Sequence, residues 1–131
     1  RGELIGDGFH IHPAVLRAAF RLLGDRALIV SDSMRANGMP EGEAFDLGGQ
    51  MVTATGKALL PDGTIAGSVT NLHQEIKNLF FGVPFEQAVK AATLLPPGPL
   101  AWMGEIGSIA PGKRADLVVL DENLDIAAVY H

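Results

Sequence analysis

The sequence predicts an α/β domain built on parallel strands, and three observations carry that expectation. A short apolar segment, a Pro-started helix pattern and a second apolar run follow one another within about thirty residues, the spacing of a βαβ unit. The second run, Ala27 to Val30, breaks abruptly into Ser31, Asp32 and Ser33, as a buried parallel strand does at the mouth of a sheet or barrel. Further helix patterns follow, and strand pattern returns only near the carboxyl end.

Taken in order, residues 3–8 read as a short strand running into a Gly6-Asp7-Gly8 turn, after which His12 and Pro13 open a helix with Pro at or near its first position. Val15, Leu16, Ala19, Phe20, Leu22 and Leu23 recur at helical spacing, Arg17 and Arg21 take the solvated side, and Gly24 closes the helix. A strand over 26–31 completes the βαβ unit. Residues 35–47 read as an irregular loop rich in turn formers, hanging from the end of that strand. Segments 50–55 and 57–60 flank Gly56, and Pro61-Asp62-Gly63 adds a turn, so a small antiparallel hairpin or meander is expected near 49–67.

Thr70 and Asn71 can cap a helix running to about Gly82, with Leu72, Ile76, Leu79 and Phe80 as its apolar face. Pro84 opens another, carrying Phe85, Ala88, Val89, Ala91, Ala92, Leu94 and Leu95, which the prolines at 96, 97 and 99 stop. A short turn is expected over 100–103. Pro111-Gly112 make a turn, and strands are expected over 115–120 and 126–130. The switch from helix to strand pattern near Gly107 divides the chain into 1–106 and 107–131.

Composition narrows the function. The 131 residues are 47% hydrophobic, enough for one domain with a core. A net charge of −5 without a Lys/Arg cluster offers no footprint for nucleic acid. No apolar run approaches the roughly 20 residues of a membrane span. Zero cysteines exclude disulfides and thiolate metal sites, leaving His, Asp and Glu as the available ligands and fitting a cytoplasmic protein. Opening on Arg1 rather than Met, the chain is expected to be processed or part of a longer protein.

Asp32 is the first candidate for chemistry. An ionised carboxylate at a strand mouth is costly unless a cation, a proton or hydrogen-bond donors compensate it, which suits metal or acid/base work. The competing reading makes Asp32 or Ser33 a helix cap, although Gly38 and Pro40 come too soon for a long helix.

Three stretches, 6–13 (Gly6-Asp7-Gly8-Phe9-His10-Ile11-His12-Pro13), 28–34 with Gly38, and 62–68 (Asp62-Gly63-Thr64-Ile65-Ala66-Gly67-Ser68), together resemble the carboxyl-terminal part of the N-acetylglucosamine-6-phosphate deacetylases of the amidohydrolase superfamily. Residues 107–121 resemble a stretch shared across the superfamily. The resemblance implies part of a (β/α)8 barrel over 1–106, with the hairpin near 49–67 inserted, and strands of a small β-sandwich over 107–131. It implies that Asp32 is the catalytic aspartate, taking a proton from metal-bound water and delivering it to the leaving amine. It places His10 against the sugar or the carbonyl oxygen, with Asp7, Gly8 and Phe9 in the same substrate-binding turn, and it has Ile65, Ala66 and Gly67 pack against the substrate through their backbone.

Further expectations follow from the same resemblance. His10-Ile11-His12 matches the later substrate turn rather than the superfamily's metal-binding His-x-His, so His12 is expected to cap a helix or lie on the surface and His73 to sit on a helix face. The family's glutamate and two histidine ligands lie upstream of anything present. No metal ligand is therefore expected in this stretch, although the intact enzyme would use a divalent ion, zinc or iron, and these residues alone would be inactive. The resemblance implies a small amino sugar phosphate as partner and a homodimer as assembly, and neither nucleic acid nor membrane is expected as a partner. Glu41, Glu43 and Asp46 read as solvated loop residues. Residues 94–99 depart from the family pattern, their extra prolines ending the helix early. Two alternatives stand beside this reading: another amidohydrolase acting on a cyclic amide or dipeptide, and a non-catalytic binding module.

Overall fold

The computed structural model describes residues 1–80, 82–96 and 102–131, with Phe80 by its backbone alone. Strands β1 (Gly2–Leu4) and β2 (Ala27–Ile29) pair in parallel, Gly2 opposite Ala27 and Leu4 opposite Ile29, and helix α1 (Pro13–Leu23) connects them. The expected βαβ unit is present. Its second strand is shorter than the 26–31 expected: residues 24–26 form a 3₁₀ turn that delivers the chain to Ala27, and the pairing with β1 ends at Ile29. His12 caps α1, its Nδ1 accepting from the Ala14 N–H at 3.2 Å, and Gly24 ends it at φ +52°.

The first core joins Leu16 and Phe20 of α1, Ala27 and Ile29 of β2, and Leu79, Val83, Ala88 and Ala91. Val15 and Leu22, expected on the buried face of α1, are instead exposed. Leu16, Phe20 and Leu23 already form the stripe that meets β2, and a helix of this period turns Val15 and Leu22 away from it.

Strand β3 (Ala44–Leu47), β4 (Gln50–Ala54), β5 (Ala58–Leu59) and β6 (Ile65–Gly67) form a four-stranded antiparallel sheet in sequence order. The hairpin near 49–67 is thus larger than expected, and the loop read over 35–47 contains a strand. Gly48 and Gly49, at φ +63° and +91°, make the two-residue turn that pairs Leu47 with Gln50. Phe45 alone of β3 is buried, entering a second core with Ala36, Val52, Ala54 and Ala58.

Helix α2 (Leu72–Phe80) starts at Asn71, whose Oδ1 accepts from the Gln74 N–H at 2.9 Å. Among its described side chains Glu75 and Leu79 are buried, whereas Leu72 is exposed. Helix α3 (Phe85–Ala92) ends before Leu94 and Leu95, and Thr93 closes it with Oγ1 on the Val89 carbonyl at 2.8 Å. Residues 97–101, which include two of the expected helix-stopping prolines and the start of the expected turn, lie outside the described residues. Strands β7 (Leu117–Leu120) and β8 (Ile126–Tyr130) pair antiparallel. Their connection is tied to α2 by His73 Nε2 on the Leu124 carbonyl at 2.5 Å and by Lys77 Nζ on Asp125 Oδ1 at 2.6 Å. Among the described residues, no helix is long and apolar enough to cross a membrane.

Candidate functional site

Three chain segments run in the same direction and release their loops at one edge. β1 and β2 are parallel, and Ser33 and Ser68, just past β2 and β6, form a parallel bridge. That bridge sets the Ser68 N–H on the Asp32 carbonyl at 3.1 Å and the Met34 N–H on the Ser68 carbonyl at 3.0 Å. Asp32 and the small-residue strand Ile65–Gly67 are therefore brought together through backbone, and the turn after β1 opens toward the same edge.

In that turn Asp7 is buried and organises its neighbours. Its Oδ1 accepts from the N–H groups of Phe9 at 2.9 Å and His10 at 3.0 Å, and its Oδ2 lies 2.7 Å from His10 Nδ1. Burial acts to raise the Asp7 pKa, but the backbone donors and the His10 ring outweigh it and hold the carboxyl below its ordinary value. An ionised carboxylate can only accept, so the proton of this contact sits on Nδ1 and Nε2 is the ring atom left for a ligand. Gly8 takes φ +83°, a conformation that suits glycine. Phe9 is exposed and lies beneath Lys57, whose Nζ is 4.3 Å from the ring centroid, so the β4–β5 turn reaches over the turn after β1.

Asp32 itself is exposed and adopts φ +46°, one of two non-glycine residues described with positive φ. Asp tolerates this region better than most residues, yet it costs on the order of 1–2 kcal/mol and is typical of sites where geometry is over-determined. The helix-cap reading of Asp32 and Ser33 does not survive: only turns follow before β3. Among the described residues, the Asp32 carboxylate has no hydrogen bond or ion pair. At Gly67 a Cβ would meet Met34 Sδ at 3.1 Å, so the close approach to this backbone is made by Met34.

The residue that sequence reasoning missed is Glu75. It is fully buried, accepting at Oε2 from the Gly6 N–H at 3.1 Å and at Oε1 from Thr70 Oγ1 at 3.0 Å. Burial raises its pKa above the ordinary glutamate value and the negative Asp7 adds to this, the donors from Gly6 and Thr70 opposing without reversing it. Asn78, one turn on, donates to the Gly6 carbonyl at 3.2 Å. The only signal in the sequence is that Glu75 stands one turn before Leu79, on the stripe that has to face inward.

Among the described residues, no group of three or more His, Asp or Glu side chains could hold a metal ion. Asp7 is held by His10 Nδ1, both Glu75 oxygens are engaged, and His73 is bound to Leu124, so His10 Nε2 and the Asp32 carboxylate are left as isolated open donors rather than as part of a ligand cluster. The donor set of the described residues does not by itself fit a metal centre. A cleft of about 260 Å³ between α1 and α2 is lined by Gly6, Gly8, Arg17, Asn78 and neighbouring apolar residues, and includes neither His10 nor Asp32.

The amidohydrolase family matches over residues 8–130. A putative N-acetylgalactosamine-6-phosphate deacetylase of Escherichia coli K12 is 33% identical over 98% of this chain and 78% of its own length. The N-acetylglucosamine-6-phosphate deacetylase of Vibrio furnissii is 36% identical over 98% of this chain, which spans 33% of that protein. The crystal structure of N-acetylglucosamine-6-phosphate deacetylase from Thermotoga maritima superposes with a TM-score of 0.88 at 30% identity, covering 98% of this chain and 36% of that one. A mutant of the Mycobacterium smegmatis deacetylase, in complex with N-acetyl-D-glucosamine-6-phosphate, gives 0.87 at 33% identity over 98% of this chain and 35% of that one. This mixed α/β chain thus spans about a third of the length of most of these relatives.

Proposed function

Since this chain belongs to the amidohydrolase family, we propose that the intact protein hydrolyses the N-acetyl group of N-acetylglucosamine 6-phosphate, releasing acetate and glucosamine 6-phosphate. The observation that carries this reading is the gathering of Asp32, the Asp7–His10 pair and the segment after β6 at the carboxyl ends of segments running in parallel. That is the end of an α/β fold where sites are built. It is also what part of a (β/α)8 barrel would present, with residues 107–131 contributing to a small β-sandwich.

In this proposal Asp32 takes a proton from the attacking water. As the C–N bond of the acetamide breaks, it passes that proton to the departing amine, so the carboxylate is regenerated in each cycle. A carboxylate without internal partners is free to serve both steps. His10, its tautomer set by Asp7, meets the substrate through Nε2, while Gly8, Phe9 and the backbone of Ile65, Ala66 and Gly67 shape the pocket. The divalent ion expected from the resemblance finds no ligand set among the described residues.

A second reading concerns the sugar. The relative of which this chain spans 78% is named for N-acetylgalactosamine 6-phosphate, which differs from the glucosamine compound in one hydroxyl configuration. Acetate release by the intact protein from the two phosphorylated sugars, compared as kcat/KM, decides between them. Turnover of neither, with hydrolysis of a cyclic amide or dipeptide, or with tight binding and no hydrolysis, would overturn the deacetylase reading.

A further inference from the structure

Glu75 has no part in the chemistry above, yet it is a fully buried carboxyl at the junction of the two segments that carry the chemistry. We propose that Glu75 is a positioning residue that sets the spacing between Asp32 and the Asp7–His10 turn, an inference that rests on the roles proposed for those residues.

The linkage can be followed atom by atom. The Asp32 carbonyl accepts from the Ser68 N–H at 3.1 Å. Ser68 Oγ accepts from the Thr70 N–H at 3.1 Å and lies 2.8 Å from Thr70 Oγ1. Thr70 Oγ1 donates its single hydrogen to Glu75 Oε1 at 3.0 Å, so Ser68 Oγ is the donor in its contact with Thr70 Oγ1. On the other side, Glu75 Oε2 accepts from the Gly6 N–H at 3.1 Å, one residue before Asp7. The chain of bonds therefore begins at the backbone of one proposed functional residue and ends beside the other, with Glu75 as its long link.

Two further features show that the link is fitted rather than incidental. Asn78, on the same face of α2, donates to the Gly6 carbonyl at 3.2 Å, so α2 grips Gly6 through both its N–H and its C=O. A Cβ on Gly6 would stand 3.3 Å from Glu75 Cβ and 3.4 Å from Oε2, so the glycine leaves room for the carboxyl to reach the main chain. Filling space alone would not require a carboxyl here, and burying one is costly without such partners.

Spacing, rather than charge, is the property to test. Glu75→Gln keeps the length: its oxygen can accept from Gly6 while its NH₂ donates to Thr70 Oγ1, whose hydrogen turns to Ser68. Glu75→Asp keeps the charge but is one methylene too short to meet both partners. Thr70→Val cuts the link at nearly constant volume. In the intact protein, Glu75→Asp and Thr70→Val are expected to lower kcat roughly 10- to 100-fold, as misplacements near 1 Å do. KM should change less, and Glu75→Gln should stay within about threefold of wild type. Melting temperatures control for folding, and the ¹⁵N resonances of the His10 ring should shift in Glu75→Asp but not in Glu75→Gln. Wild-type kcat in both Glu75→Asp and Thr70→Val, or Glu75→Gln as impaired as Glu75→Asp, would overturn the proposal. If wild type itself releases no acetate, the deacetylase reading fails instead, and the link is judged on the His10 resonances: unshifted in Glu75→Asp, it is refuted.

Discussion

Replacing Asp7 with Asn preserves the side chain's shape and removes its charge, and the geometry dictates the response. The Asn oxygen can still accept from the N–H groups of Phe9 and His10, now 2.9 and 3.0 Å from Asp7 Oδ1. The amide nitrogen then faces His10 Nδ1 across the 2.7 Å contact, where two N–H groups would oppose each other. The ring must switch tautomer, placing its hydrogen on Nε2, the atom proposed to meet the substrate. A hydrogen bond to a charged group is worth about 1.5–3 kcal/mol, which corresponds to a loss of roughly 10- to 150-fold in kcat/KM. Acetate release measures that loss, and ¹⁵N NMR of the ring reports the tautomer. A pH arm gives a separate check. Because Asp7 is held below its ordinary pKa, its stabilisation is complete above about pH 4 and is lost as pH falls through the folded-state pKa. Asp7→Asn should lack that acid-dependent component of stability. An unchanged tautomer together with kcat/KM within twofold of wild type would refute the reasoning.

Two other perturbations test the surroundings of the site. Gly67→Ala places a methyl 3.1 Å from Met34 Sδ, and since methionine can yield, the expected cost in urea unfolding is about 1 kcal/mol, at the low end for overpacking. A stabilised variant would show that the contact is looser than described. Lys57→Ala removes the cation held 4.3 Å over the Phe9 ring, a contact worth about 0.5–1 kcal/mol, so KM should rise roughly two- to fivefold with kcat retained. Steady-state kinetics decide, and an unchanged KM would separate Lys57 from the substrate turn.

Elements with local rules were legible in the sequence. The βαβ unit, the His12 cap and the Asn71 cap follow from turn chemistry and apolar periodicity within a few residues, whereas α3 stops at Ala92, short of the Leu94 and Leu95 expected in it. β3 was hidden because Ala44, Phe45, Asp46 and Leu47 stand among glycines and a proline, and their single buried residue is too weak a period to outweigh those turn formers. What local pattern cannot supply is which helix face turns inward. Between His73, Gln74 and Lys77, Glu75 reads as solvated, and only the packing of α2 against Gly6 makes it a buried ligand of the main chain. The bridge between Ser33 and Ser68 is equally silent in sequence, since it joins residues on opposite sides of the β3–β6 sheet in the chain order.

The most direct test of the central claim is the turnover of Asp32→Asn in the intact protein, assayed as acetate released from N-acetylglucosamine 6-phosphate. Its carboxylate has no partner among the described residues, so the substitution should leave folding and KM close to wild type. Loss of general acid–base work should lower kcat by about 10²–10⁴-fold. A variant that turns over at the wild-type rate would contradict the account, because no proton would then need Asp32.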